Sequence, residues 1–110
     1  MSVATMEAPV AQTPPLEVLD PYNGEVIARL AQNSVDDVES IMARARLGSS
    51  LSRGLSRFER HRILDRAARI LEGRAEEAAT LIVREAGKTI TQARKEVRRA
   101  VTTISLSAET

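Results

Sequence analysis

From residue 16 onward the apolar positions follow two different rules. In "LEVLDPYNGEVIARL", residues 16–30, two short runs with strand character, Leu16–Leu19 and Glu25–Leu30, flank Asp20-Pro21-Tyr22-Asn23-Gly24. Pro21 fixes φ and Asn23-Gly24 tolerates positive φ, so the segment predicts a β-hairpin. A lone two-stranded hairpin is marginal in water and needs something to pack on. The residues before it, "MSVATMEAPVAQTPP" over 1–15, are small and polar and end in two prolines, the composition of a disordered leader.

Past residue 33 the period becomes helical. Ser34 with Asp37 three residues on forms a capping pair, and Val35, Val38, Ile41, Met42 and Ala45 then recur at helix spacing. This first helix is expected to fade at Gly48-Ser49-Ser50. Ser56 and Glu59 repeat the capping spacing ahead of the stripe Ile63, Leu64, Ala67, Ala68, Leu71. Gly73 is expected to break or kink the chain, since glycine costs about 1 kcal/mol relative to alanine inside a helix. A third helix over about 74–86 should bury Ala75, Ala78, Ala79, Ile82 and Ala86, with Gly87 closing it. Thr89 with Gln92 opens a fourth, whose stripe is Ile90, Ala93, Val97, Val101, Ile104 and Ala108. The chain by itself therefore reads as a β-hairpin followed by about four α-helices, mostly α.

The fourth helix changes along its length. Residues 92–99 are charged at most positions outside the stripe, whereas 100–108, "AVTTISLSA", carry no charge. A helix with no charge on any face is usually covered on several sides, and nothing else in the sequence supplies that cover. No C-cap glycine or basic last turn precedes Thr110. The helix is accordingly expected to continue in a longer parent or to end ragged.

Composition sharpens this picture. The chain has one Phe, one Tyr and no Trp, and much of its apolar content is alanine, which predicts a thin core. Net charge is +1, but residues 53–99 hold thirteen basic side chains against seven acidic ones. The absence of cysteine excludes disulfides, thiolate metal sites and cysteine nucleophiles within this chain, and the single histidine, His61, argues against zinc. The first basic residue is Arg29 and no apolar run approaches the roughly 20 residues of a membrane helix. A soluble, cytoplasmic protein with no membrane partner is the expectation.

Gly87-Lys88-Thr89 has the form of the tail of a phosphate-binding loop, G-x-x-x-x-G-K-[ST]. The first glycine of that motif would fall at Ile82, and "LIVREA" before Gly87 is helical rather than a strand. A helix C-terminus aims carbonyls, not N–H groups, at an incoming phosphate. The tripeptide is therefore a helix–turn–helix junction.

Several stretches occur together in an order that resembles a known family. "DPYNGEVIARL" precedes a helix opening "SVDDVESIMARAR", followed by "SRFERHRILDRAARILEGRAEEAATLIVREAGKTITQARKEV". The most telling pieces are ER-x-x-IL-x-x-A at Glu59–Ala67 and E-AGK-x-I-x-x-AR-x-EV at Glu85–Val97. Over residues 16–110 the chain resembles the beginning of an NAD(P)-dependent aldehyde dehydrogenase. Thr89 stands where that family commonly has proline, and as a helix cap it does the same job. The resemblance implies an α/β parent fold in which residues 16–110 form the N-terminal, incomplete part of the cofactor-binding domain. It implies NAD or NADP as the parent's cofactor, an aldehyde oxidised to a carboxylate, and a homo-oligomer at full length. The catalytic cysteine, general-base glutamate and cofactor-binding residues would lie downstream. The segment itself is expected to be inactive, with no catalytic, cofactor-binding or metal-binding residue of its own.

Arg99 is the candidate substrate-binding residue. It closes the pattern Glu96-Val97-Arg98-Arg99, and relatives whose aldehyde carries a phosphate or phosphonate resemble this stretch and place an arginine at the matching point. An arginine fork suits an oxyanion. Arg99 also reads as an ordinary solvated arginine, and Arg98 as a weaker alternative. The substrate class implied is a short anionic or hydroxy aldehyde, such as phosphonoacetaldehyde, glyceraldehyde 3-phosphate or lactaldehyde. His61, among charged neighbours, reads as a hydrogen-bonded or exposed histidine. Asp36/Asp37 and Glu76/Glu77 read as first-turn acids favouring the helix dipole. A rival from another class is a small basic helical module that binds an acidic partner or nucleic acid; interleaved acids and scarce aromatics count against nucleic acid.

Overall fold

The structure, a computed structural model, describes residues 14–110. Strands β1 (Leu16–Leu19) and β2 (Val26–Leu30) pair antiparallel, with Leu16 opposite Leu30 and Val18 opposite Ala28. The register shifts between Val18 and Leu19, which pair with Ala28 and Val26, and β2 begins at Val26, one residue later than its sequence suggests. The turn forms as its residues dictate. Gly24 takes φ +75° and its N–H donates to the Asp20 carbonyl at 2.8 Å, while the Asp20 carboxylate accepts from the Tyr22 N–H at 2.9 Å. The expected leader, apart from Pro14 and Pro15, lies outside the described residues.

A 3₁₀ turn (Val35–Asp37) leads into α1 (Val38–Gly54), followed by α2 (Arg57–Gly73), α3 (Ala75–Ala86) and α4 (Ile90–Glu109). The capping pairs are present. The Ser34 N–H and hydroxyl both donate to the Asp37 carboxylate, at 2.6 and 2.9 Å. The Ser56 N–H donates to Glu59 at 2.7 Å, and the Ser56 hydroxyl accepts from the Glu59 N–H at 3.2 Å. Contrary to expectation, α1 does not fade at Gly48-Ser49-Ser50. One interior glycine costs too little to stop a helix, and α1 ends only where Leu55 turns extended ahead of the Ser56 cap. Gly73 does end α2, and Arg74 holds the joint by donating its N–H to the carbonyls of Ile70 and Leu71.

Helix α4 is the centre of the packing: α2 and α3 both lie along it and touch each other only sparingly. The buried residues are Ala68, Ala79, Ala93, Val97 and Ala108, so small side chains at the crossings let the helices approach closely. Leu71, Ala75, Ala78, Ile82, Val83 and Ile90 close around Ala79, Ala93 and Val97. The α4 stripe is as expected. On α2 the packed line is Leu64, Ala68 and Leu71. Ile63 and Ala67, expected in the core, fall with Ile70 on the adjacent, exposed line, and Ala86 is likewise exposed at the end of α3. Ala67, Ile70, Leu71, Ala78 and Leu81 line an open apolar groove of about 420 Å³.

The core is as thin as the composition predicts. The radius of gyration is 19.8 Å, against about 13 Å for a compact domain of about 100 residues. Helix α1 buries no residue and packs appreciably only on the 3₁₀ turn before it. Among the described residues no helix is long and apolar enough to cross a membrane.

Candidate functional site

The junction that positions α4 is built from Gly87, Lys88 and Thr89. Gly87 takes φ +64° and donates its N–H to the Val83 carbonyl at 2.9 Å, ending α3. A side chain there would meet the Pro21 ring, whose Cγ lies 3.2 Å from the position of an added Cβ. The hairpin turn thus rests on this corner, and Asp20 lies 3.9 Å from the Arg84 guanidinium. The Thr89 hydroxyl accepts from the Gln92 N–H at 3.3 Å and starts α4. Lys88 reaches forward along α4 and pairs with Glu96.

Helix α4 carries four basic residues in its first half, and the structure separates them. Arg94 crosses to α3 and holds Glu76 through contacts of 2.5 and 3.0 Å. The Arg94 guanidinium lowers the Glu76 carboxyl below the usual carboxylate range, and Arg94 itself is raised. The next pair along, Arg74 and Glu77 at 2.6 Å, behaves the same way. Lys95, Arg98 and Arg99 make no ion pair among the described residues. With Thr102 and Thr103 they line a shallow concavity of about 440 Å³ on the side of α4 away from its buried stripe.

Arg99 therefore stands on an exposed face as one of three adjacent cations. Sequence reasoning singled out Arg99 with Arg98 beside it but did not gather Lys95, Thr102 and Thr103 to them. The signal was present: 95, 98, 99, 102 and 103 are spaced by threes and fours, which places them on one helical face. His61 is structural, its Nδ1 donating to the Ala108 carbonyl at 2.9 Å, with Arg57 on the neighbouring Glu109 carbonyl at 3.2 Å. Asp37 and Glu59 are capping carboxylates, each lowered first by the backbone N–H it accepts from, that of Ser34 and Ser56 respectively.

The profile of the aldehyde dehydrogenase family matches residues 9–110. This chain belongs to that family. The aldehyde-dehydrogenase-like protein y4uC of Sinorhizobium fredii is 46% identical over 95 residues, which are 86% of this chain and 19% of the relative. Aspartate-semialdehyde dehydrogenase 1 of Pseudomonas canavaninivorans is 39% identical over 109 residues, 99% of this chain and 23% of the relative. Among solved structures, glyceraldehyde-3-phosphate dehydrogenase GapN of Methanocaldococcus jannaschii, complexed with NADP, superposes with a TM-score of 0.82 at 30% identity, covering 87% of this chain and 21% of that one. The chain thus spans about a fifth of the length of the curated relatives it matches. Its hairpin and helices are a piece of the aldehyde dehydrogenase fold, and the family assignment lends no support to a separate basic binding module.

Gly87-Lys88-Thr89 does not form a phosphate cradle. The only Gly-Lys-Thr follows a helix, the Gly87 N–H is committed to Val83, and Lys88 is engaged by Glu96. Nor can this aldehyde dehydrogenase segment supply a thiolate, since its sequence has no cysteine.

Proposed function

We propose that this chain is the N-terminal part of the cofactor-binding domain of a dehydrogenase that oxidises a short anionic or hydroxy aldehyde to a carboxylate with NAD or NADP. By itself the segment is inactive, and Arg99 meets the anionic group of the substrate. The full-length protein is cytoplasmic and a homo-oligomer. The observation that carries the substrate reading is the cationic face of Lys95, Arg98 and Arg99, which makes no ion pair among the described residues. Two of the similar proteins are named for aldehydes bearing a carboxylate or a phosphate, which supports an anion at this face. The relative complexed with NADP supports the cofactor class. The scaffold role rests on the thin, open packing and on the apolar faces of α1, α2 and α3 left exposed.

The test is steady-state kinetics of the full-length protein with an anionic and a neutral aldehyde. A charged hydrogen bond is worth about 1.5–3 kcal/mol, so Arg99→Leu should raise KM for the anionic aldehyde roughly 10- to 100-fold and leave the neutral one nearly unchanged. Equal effects on both aldehydes would remove Arg99 from substrate recognition. The 110-residue chain alone should form no NAD(P)H from any aldehyde.

A further inference from the structure

Helix α4 contains one acidic residue before its last turn, Glu96, and that residue stands three positions ahead of Arg99. Glu and Arg at this spacing are neighbours on a helix surface, and the order acid-before-base is the favoured one. The same molecule shows such an acid-before-base pair within one helix, since Asp65 and Arg69, four apart on α2, pair at 3.0 Å. Left alone, Glu96 has Arg99 as a natural partner, which would cancel the charge of the candidate anion site. In the structure it is Lys88, outside the helix, that takes the Glu96 carboxylate. Arg94 is drawn off in the same way by Glu76 on α3. The two staples consume the one acid and the one base nearest the start of α4, and leave Lys95, Arg98 and Arg99 uncompensated.

We infer that Lys88 is a positioning residue that keeps Glu96 away from Arg99 and so holds the cationic face of α4 open for an anionic aldehyde. The inference rests on the substrate role of Arg99 proposed above. It also gives the lysine of the Gly87-Lys88-Thr89 corner a task that neither a phosphate loop nor a helix dipole accounts for. The lysine neutralises a carboxylate that would otherwise compete with the substrate for the same guanidinium.

The experiment is the ratio of KM for an anionic to a neutral aldehyde in the full-length protein carrying Lys88→Met, Lys88→Arg, Glu96→Gln or Lys88→Met with Glu96→Gln. A freed carboxylate at surface dielectric should raise the ratio about two- to threefold in Lys88→Met. Lys88→Arg, which keeps the charge, should preserve the wild-type ratio. Adding Glu96→Gln to Lys88→Met should restore it, and Glu96→Gln alone should change it little. A purely structural role for Lys88 would shift both aldehydes together and would not be rescued by removing the Glu96 charge. An unchanged ratio in Lys88→Met, or failure of Glu96→Gln to restore it, overturns the inference. If Arg99→Leu discriminates between the aldehydes and Lys88→Met does not, only the role of Lys88 falls. If Arg99→Leu does not discriminate, both fall together.

Discussion

Helices α1 and α4 announce themselves by the same signal and meet opposite fates. Each starts after a capping residue and each repeats apolar residues at helical spacing. Helix α4 buries Ala93, Val97 and Ala108 against α2 and α3. Helix α1 buries nothing, and Val38 and Met42 on its stripe remain 49% and 45% exposed. Amphipathicity thus locates a face but says nothing of what covers it. The buried residues of α4 are small enough for two neighbours to close on them, whereas the stripe of α1 has no partner among the described residues.

The strongest way to break this comparison is to place a charge on each stripe. Val97→Asp puts a carboxylate into a site only 3% exposed with no cation built to receive it. An uncompensated buried charge costs about 3–5 kcal/mol, a large share of any small domain's stability. The 110-residue chain should lose most of its cooperative helical signal by circular dichroism. Met42→Asp in the same chain should lie within about 0.5 kcal/mol of the parent. In the full-length protein, where α1 has a partner under the reading above, Met42→Asp should become clearly destabilising. Equal effects of the two substitutions in the short chain would erase the distinction between the helices.

How much of this was legible beforehand follows from the same contrast. The hairpin, the capping pairs at Ser34 and Ser56, the role of Gly87 and the whole α4 stripe could be read because each depends on local geometry or on one helix's period. The packed line of α2 could not. Ile63 and Ala67 sit one step round the helix from Leu64 and Ala68, and only the position of α4 decides which line is covered. The continuation of α1 past Gly48 was hidden because one glycine shifts a helix boundary only weakly. At the candidate site, Arg99 was visible as a residue type in a pattern. That its neighbours are left unpaired depends on where Arg94 and Glu96 find partners, and those partners lie 18 and 8 residues away in sequence.

A smaller effect, of opposite sign inside α1 and at the corner before α4, comes from glycine. Gly87→Ala forces an alanine to φ +64° and brings its Cβ to 3.2 Å from Pro21. Left-handed strain alone is worth about 1–2 kcal/mol, and the contact adds to it. Gly48→Ala lies within α1 with nothing within 4 Å of the new methyl, so the gain in helix propensity should stabilise by about 0.5–1 kcal/mol. Chemical denaturation of the two variants should move the midpoint in opposite directions. A stabilising Gly87→Ala would mean that the corner joining the hairpin, α3 and α4 does not form as described.

Acid supplies the smallest effect, and it too should separate the two helices. The 3₁₀ turn that leads into α1 depends on the Asp37 carboxylate accepting from Ser34, which holds the Asp37 pKa below its ordinary value. The first turn of α4 depends on the Thr89 hydroxyl, which does not titrate. For a carboxylate whose pKa is depressed by folding, the stabilisation is fully present above the unfolded pKa, near 4, and is lost as pH falls through the lower, folded value. Glu59 at the start of α2 follows the same rule through Ser56. Hydrogen exchange measured as pH is lowered through and below about 4, corrected for the intrinsic rate, should therefore show the starts of α1 and α2 losing protection before the start of α4. Asp37→Asn should make the α1 loss insensitive to pH, because asparagine caps without a charge. Glu59 is exposed and Asp37 only half-buried, so added salt should shrink the difference, more at Glu59 than at Asp37. If the first turn of α4 opened first, its hold would have to come from Glu76 and its bond to Arg94 rather than from the threonine cap and the alanine seam.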